Sequence, residues 1–232
     1  MSDSQSAFRE AKAELSFLRW IFGWHPVVGW AMVVLLLGGI GYYFGAAYLF
    51  ALVGLVAGGP IWYQGMRYIN RNWESLRTAY IADVEEYGPV VLEAAGMDEG
   101  TEVTLLTKAS EETQPFVEAP SQIDATLVGV DDAGVWIHGH TSLDLTFQKA
   151  SFGTDPDGIV HFPYSNLAAA VFEDGDLVVR PIRETDDLKT FRTPLTEEPV
   201  ELLATIREEM EVHPNAGADG VATDSGEPGT NH

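Results

Sequence analysis

The chain has 232 residues, room for one or two domains of ordinary size, with 35 acidic against 13 basic side chains and no cysteine. A formal net charge of −22 repels phosphate rather than releasing counterions from it, which excludes general nucleic-acid binding. The missing thiols exclude disulfides, zinc–thiolate sites, iron–sulfur clusters and a cysteine nucleophile. The charge is unevenly divided: residues 1–77 hold six basic and four acidic side chains, residues 78–232 seven basic and thirty-one acidic.

In chain order, residues 1–22 read as an interfacial amphipathic helix: Phe8, Ala11, Leu15 and Leu18 recur at helical spacing, with Arg9, Glu10, Lys12 and Glu14 between them. From Trp20 to Met66 there is no Lys, Arg, Asp or Glu. Such a stretch is too long for one membrane pass of about 20 residues and fits two. It predicts a transmembrane hairpin over 23–66, with spans at about 26–43 and 46–63 and a tight turn at Phe44–Gly45. The alternation of basic and acidic residues before it, and the second apolar segment directly after the first, speak against a signal peptide. Arg9, Lys12 and Arg19 precede the first span, Arg67, Arg71 and Arg77 follow the second, and the turn is uncharged. Lys and Arg favour the cytoplasmic side, so both termini are expected inside a multi-pass protein of the cell membrane. Trp20, Trp24, Arg19, Trp62, Tyr63 and Arg67 are expected at the inner interface, with Tyr42, Tyr43, Phe44 and Tyr48 at the outer turn. Gly41 and Gly45, and Gly54 and Gly58, are each four apart, a spacing that lets helix backbones approach closely, within the hairpin or between copies of the chain. The spans hold no carboxylate, Lys or Arg, a poor endowment for a carrier, and His25 reads as interfacial.

Ile69, Trp73, Leu76, Tyr80 and Val84 continue the helical period, which predicts a juxtamembrane stalk over 67–88 ended by Gly88-Pro89. Its apolar stripe must pack on the first helix, on the following domain or on a copy of itself. From Gly100 the period turns to alternation. Strands are expected at Glu102–Lys108, Ile123–Val130, Val135–His140, Leu143–Lys149, Ile159–Phe162, Ala168–Glu173, Asp176–Pro181 and Lys189–Arg192. Asp131-Asp-Ala-Gly134, Thr154-Asp-Pro-Asp-Gly158 and Glu173-Asp-Gly175 supply turn chemistry between them. Leu143, Leu145 and Phe147 would share one face. A last helix starts near Pro199 with Glu197 and Glu198 in its first turn, and carries the stripe Val200, Leu203, Ile206 and Met210. Residues 89–212 thus form one cytoplasmic β domain with a C-terminal helix. The tail over 213–232, poor in large apolar residues, is expected to be disordered.

Seven or so strands followed by one amphipathic helix is the order of a pleckstrin-homology-like (PH-like) barrel. The segment His161-Phe-Pro-Tyr-Ser-Asn-Leu167, the strand Asp176–Ile182, Thr190-Phe-Arg192 and the helix Pro199–Met210 resemble the end of bacterial PH and GRAM domains. A membrane hairpin before such a domain resembles the membrane-anchored bacterial PH proteins. The resemblance covers about half the chain and implies an α+β membrane protein: a two-helix transmembrane hairpin, then a mainly antiparallel β barrel capped by a helix. Another small barrel (Sm-like or OB-like) or a sandwich are the alternatives. With Lys rare (four, against nine Arg) and Ala, Gly, Val, Thr and Asp plentiful, the composition resembles that of haloarchaeal proteins, which implies concentrated salt. The other reading of the acidity is a surface for a basic partner.

Candidates for chemistry are few. His138 and His140, two apart on a strand, share a face, and with His161 and Asp144 they could form a metal site. Asp155 and Asp157, and Asp174 and Asp176, offer calcium ligands without the full calcium-loop spacing. Ser142, Ser151 and Ser165 lack a nucleophile-elbow setting, and neither phosphate-loop nor dinucleotide fingerprint occurs. The expectation is a non-enzyme without cofactor. It would be a membrane-anchored binding or scaffold protein whose partners are the lipid bilayer and a protein, or a second copy of the chain. The alternative is a structural or regulatory subunit of an oligomeric channel or transporter.

Overall fold

The computed structural model describes residues 6–111, 114, 116–153, 158–186 and 188–213, apart from the side chains of Ser6, Val28 and His140. Among the described residues five α-helices and eight strands follow one another as α1 (Ser6–Ala13), α2 (Phe17–Trp24), α3 (Pro26–Tyr43), α4 (Ala47–Ala95), β1 (Val103–Ala109), β2 (Gln122–Asp131), β3 (Gly134–Asp144), β4 (Lys149–Phe152), β5 (Ile159–Pro163), β6 (Leu167–Glu173), β7 (Asp176–Pro181), β8 (Phe191–Pro194) and α5 (Val200–Val212). The architecture is α+β. The tail residues 214–232 and the aspartates Asp155 and Asp157 lie outside the described residues.

Of the two expected spans, one meets the requirement of length and apolarity for crossing a membrane by itself: α4, of 49 residues. Helix α3 has 18 residues and counts as a second only when joined to α2, from which it bends by 114°. His25 and Pro26 account for the break, since proline at the first helical position starts a new helix. The interfacial helix expected over 1–22 is likewise two helices, and α1 does not lie free. It packs on the far part of α4, burying Phe8, whose amide donates to the buried Asp83 carboxylate at 3.0 Å.

The expected stop at Gly88-Pro89 is not a stop, because α4 runs on through both residues to Ala95. Gly88 faces the sheet so closely that a β-carbon there would sit 2.7 Å from the Leu127 side chain, so docking holds this turn helical despite the proline. The true terminator is Gly96, at φ +117. Its amide donates to the Glu93 carbonyl and the Met97 amide to that of Leu92, the paired bonds of a Schellman end, with Leu92 and Met97 both buried.

The strands form two antiparallel sheets, curled as a half-barrel. The first has the order β1-β2-β3, with β4 and β5 sharing the far edge of β3: β5 pairs Gly134–His138 and β4 pairs Thr141–Asp144. The second is β6-β7-β8. The first sheet is covered on both faces. Ile123, Ala125, Leu127, Trp136 and Leu143 meet Leu76, Tyr80, Val84 and Leu92 of α4, so the stalk stripe is covered by α1 and this sheet. Val128, Val135, Ile137 and Phe162 meet Leu177 and Val179 of the second sheet together with Leu202, Leu203 and Ile206 of α5. Leu202 thus takes the buried place expected for Val200, which is exposed, and Glu197 and Glu198 precede the helix. A hydrogen bond between Thr126 and Thr193 at 3.0 Å ties the sheets at their rim.

One expected strand is divided. Asp144 ends β3, and residues 145–148 turn back, with the Phe147 amide on the Asp144 carboxylate at 3.1 Å and Gln148 at φ +51. Leu145 is buried but Phe147 is exposed, so the three apolar residues do not share a face.

Candidate functional site

The expected glycine contacts can be traced one by one. Helices α3 and α4 lie antiparallel, and a β-carbon on Gly54 would stand 3.0 Å from the Val34 backbone. One on Gly58 would fall inside the Trp30 indole, and one on Gly41 would reach Phe50 at 2.6 Å. Gly45 has open space around it and serves the turn instead, at φ +73. Three of the four therefore spend their close approach within the chain.

A tighter crossing, not singled out from the sequence, lies where α2 meets α4. A β-carbon on Gly65 would stand 2.7 Å from the Gly23 amide nitrogen and 2.8 Å from the Arg19 carbonyl, so backbone rests on backbone. The crossing fixes the residues expected at the inner interface. Trp20 and Trp24 are buried in protein, and the Trp20 indole donates to the Leu145 carbonyl of the sheet domain at 2.5 Å. Trp62 is partly buried and donates to the Gly23 carbonyl at 3.2 Å. Tyr63, Arg19 and Arg67 are exposed.

Beside this crossing opens a cleft of about 450 Å³. Arg19 of α2 and Arg67 and Arg71 of α4 line it with Tyr68, and Phe22 and Ile61 form its apolar end. Arg67 and Arg71 share a helix face at a spacing of four. The Arg19 guanidinium stands 5.7 Å from the Tyr68 ring centre and that of Arg67 5.8 Å from the Tyr63 ring centre, contacts that hold the cations without neutralising them. Among the described residues, none of the three arginines pairs with a carboxylate.

The sheet domain leans on the same region. Asn70 clamps the loop before β2, its amide donating to the Phe116 carbonyl at 3.2 Å while its oxygen accepts from the Glu118 amide at 3.1 Å. The exposed ring of Phe116 stands 6.2 Å from Trp62, and exposed Phe147 stands 5.9 Å from His25. No sequence signal marked Asn70 or this pair of loop tips.

The expected histidine pair meets an irregular stretch of the ladder. Opposite β2, two residues of β3 (Gly139 and His140) face the single Thr126, a bulge directly after His138. The His140 side chain lies outside the described residues. His138 is buried, with Nε2 2.6 Å from the Gly153 carbonyl. His161 lies opposite Trp136 and stacks on it at 3.8 Å, and burial lowers its pKa. Asp144 is engaged by Phe147 in its turn, Asp176 pairs with Arg192 at 3.7 Å, and Asp174 sits in the β6–β7 turn at φ +54. Among the described residues one group brings three ligand atoms within 4.8 Å of one another: Asp132, Glu209 and His213. It lies at an open groove beside the end of α5, of about 430 Å³, where the His213 ring stacks on Tyr164 and burial raises the Tyr164 pKa.

Asp131, the first residue of an expected turn, is structural. Its carboxylate accepts from the amides of Asp98, Ala133 and Gly134 and from the Trp136 indole, closing the β2–β3 turn onto the end of α4. Ser142, Ser151 and Ser165 lie on β3, on β4 and in the turn before β6. No protein-family model, curated protein or solved structure matches the chain.

Proposed function

We propose that the protein is a membrane-anchored, non-enzymatic binding or scaffold protein, crossing the cell membrane twice through α3 and α4 and holding a PH-like domain on the cytoplasmic side. The observation that carries this reading is the composition of α4, whose first part leaves Tyr48, Leu49, Leu52, Leu55 and Val56 exposed while its later part is built into the domain core. Exposed apolar side chains in this number call for a solvent other than water. The arginines on both flanks and the uncharged turn at Gly45 support two crossings with both ends inside. The anchoring helix enters the domain without a loop, so the domain presents a fixed outer surface. The groove between the β2–β3 turn and the end of α5 is the candidate contact on that surface. Its acidic lining, Asp132 with Glu209 nearby, suits a basic partner segment.

Phosphoinositide recognition by the sheet domain is disfavoured, since that chemistry needs a basic loop cluster and the strand turns carry Asp131, Asp132, Glu173 and Asp174. The competing reading as a channel or transporter subunit loses part of its support. The glycines that suggested contacts between chains are occupied by Val34, Trp30 and Phe50 of the same chain. The test is affinity purification of the full chain from native membranes, in mild detergent at multimolar salt, with size analysis. A stoichiometric soluble partner supports the scaffold reading. Recovery of a homo-oligomeric ring or a polytopic partner would replace it with the subunit reading.

A further inference from the structure

We infer that the cleft at the α2–α4 crossing is a binding site for the phosphate-bearing headgroup of an anionic phospholipid. The inference rests on the membrane-spanning reading above. Three of the thirteen basic residues of a chain at −22 converge on this cleft. Among the described residues no acidic side chain lines it, and no carboxylate pairs with its arginines. Guanidinium groups suit phosphate oxygens through paired, charge-assisted hydrogen bonds, and Tyr68 and Gln64 add neutral partners at the same wall.

The order of residues along α4 separates a lipid from a free anion. Ile61, nearest the apolar segment, comes first; Gln64, Arg67, Tyr68 and Arg71 follow on the side of the sheet domain. Phe22 closes the apolar end from α2. A cleft apolar at the membrane end and cationic at the other matches a molecule with a charged head and the first carbons of acyl chains. Basic pockets between helices at the cytoplasmic face use this chemistry. A dissolved phosphate would gain nothing from the apolar wall. The Gly23–Gly65 backbone contact sets the spacing of Arg19 from Arg67 and Arg71, so the cleft is formed before a lipid arrives.

The test uses the purified full chain in mild detergent, at the lowest salt that keeps it folded by circular dichroism. Titration calorimetry compares dioctanoyl phosphatidylglycerol, dioctanoyl phosphatidylcholine and inorganic phosphate. Saturable binding of the anionic lipid at one per chain is expected, with the neutral lipid and phosphate each weaker by ~10-fold or more. The double substitution Arg67→Gln with Arg71→Gln should weaken the anionic lipid by a similar factor. Arg180→Gln, in the remote ion pair with Glu173, should leave it unchanged. Equal binding of the two lipids overturns the proposal without need of any variant, and so does an unchanged affinity in the double variant. Phosphate binding as tight as the anionic lipid overturns the lipid occupant. Alkaline extraction of native membranes separates the two levels: a chain that washes off sinks the membrane reading itself, whereas an embedded chain without lipid preference sinks only the cleft assignment.

Discussion

Helix α4 uses the same residue types in two opposite ways. Near its start Tyr48 is 95% exposed and Val56 73%, while beyond the glycine crossing Ile69, Leu76 and Tyr80 are wholly buried. The apolar side chains are of the same kinds in both parts, but the first part carries no charge up to Met66 while the second sets Arg, Asp and Glu around its stripe, and the neighbours differ as well. The first part has α3 on one side and no described residue on the other, whereas the second is enclosed by α1, α2 and the first sheet. An apolar stripe therefore identifies a buried face without telling whether protein or lipid will bury it.

Matched truncations in the two parts give the largest contrast. Leu76→Ala should cost about 2–5 kcal/mol of stability in detergent, whereas Leu55→Ala should stay within about 0.5 kcal/mol, both read from thermal unfolding of the full chain. Equal losses would break the comparison, because they would mean that protein also covers Leu55. Gly58→Leu sharpens it on the inner side of the same segment. The new side chain must displace Trp30, and a loss of about 1–3 kcal/mol is expected, with indole fluorescence shifted as Trp30 moves. A similar cost, about 1–3 kcal/mol, is expected of Gly88→Ala, which pushes on the buried Leu127; a neutral result would show that the helix does not need this contact to pass Pro89. The smallest effect is a pH dependence. Burial lowers the folded-state pKa of His161, so the unfolded chain takes up the proton first. Its contribution is present above about pH 6.5 and is lost as the pH falls below. His161→Phe should flatten the unfolding temperature between pH 7 and 5; an unaltered slope would assign the dependence to other groups.

The sheet domain was legible where alternation and turn chemistry agree. Asp174 and Gly175, both at positive φ, make the two-residue hairpin that the Glu-Asp-Gly sequence announces, and the strands on either side fall where expected. Reading failed where a distant contact overrides a local signal. Gly88-Pro89 carries the local mark of a helix end, but the close fit of Gly88 to Leu127 is a fact about residues 39 apart in the chain. The run Leu143–Lys149 alternates like a strand, while the Asp144 side chain captures the Phe147 amide and turns it. The bulge directly after His138 is one that only the pairing partner reveals. Trp20 and Trp24 have the chemistry of interfacial residues, and nothing local could foretell that Leu145 would accept a hydrogen bond from one of them. The arginine cleft was half visible: its cations were marked as flanking charges, but their convergence depends on the contact of Gly23 with Gly65.

The unbroken course of α4 has a mechanical consequence. At 1.5 Å per residue, its 49 residues make a shaft about 74 Å long with no loop along it. Any tilt of its apolar end is levered to the other: ten degrees at the base swings the tip by about 13 Å. Rotation of the shaft likewise turns the sheet domain by the same angle, so a movement of the apolar end becomes a displacement of the groove beside α5.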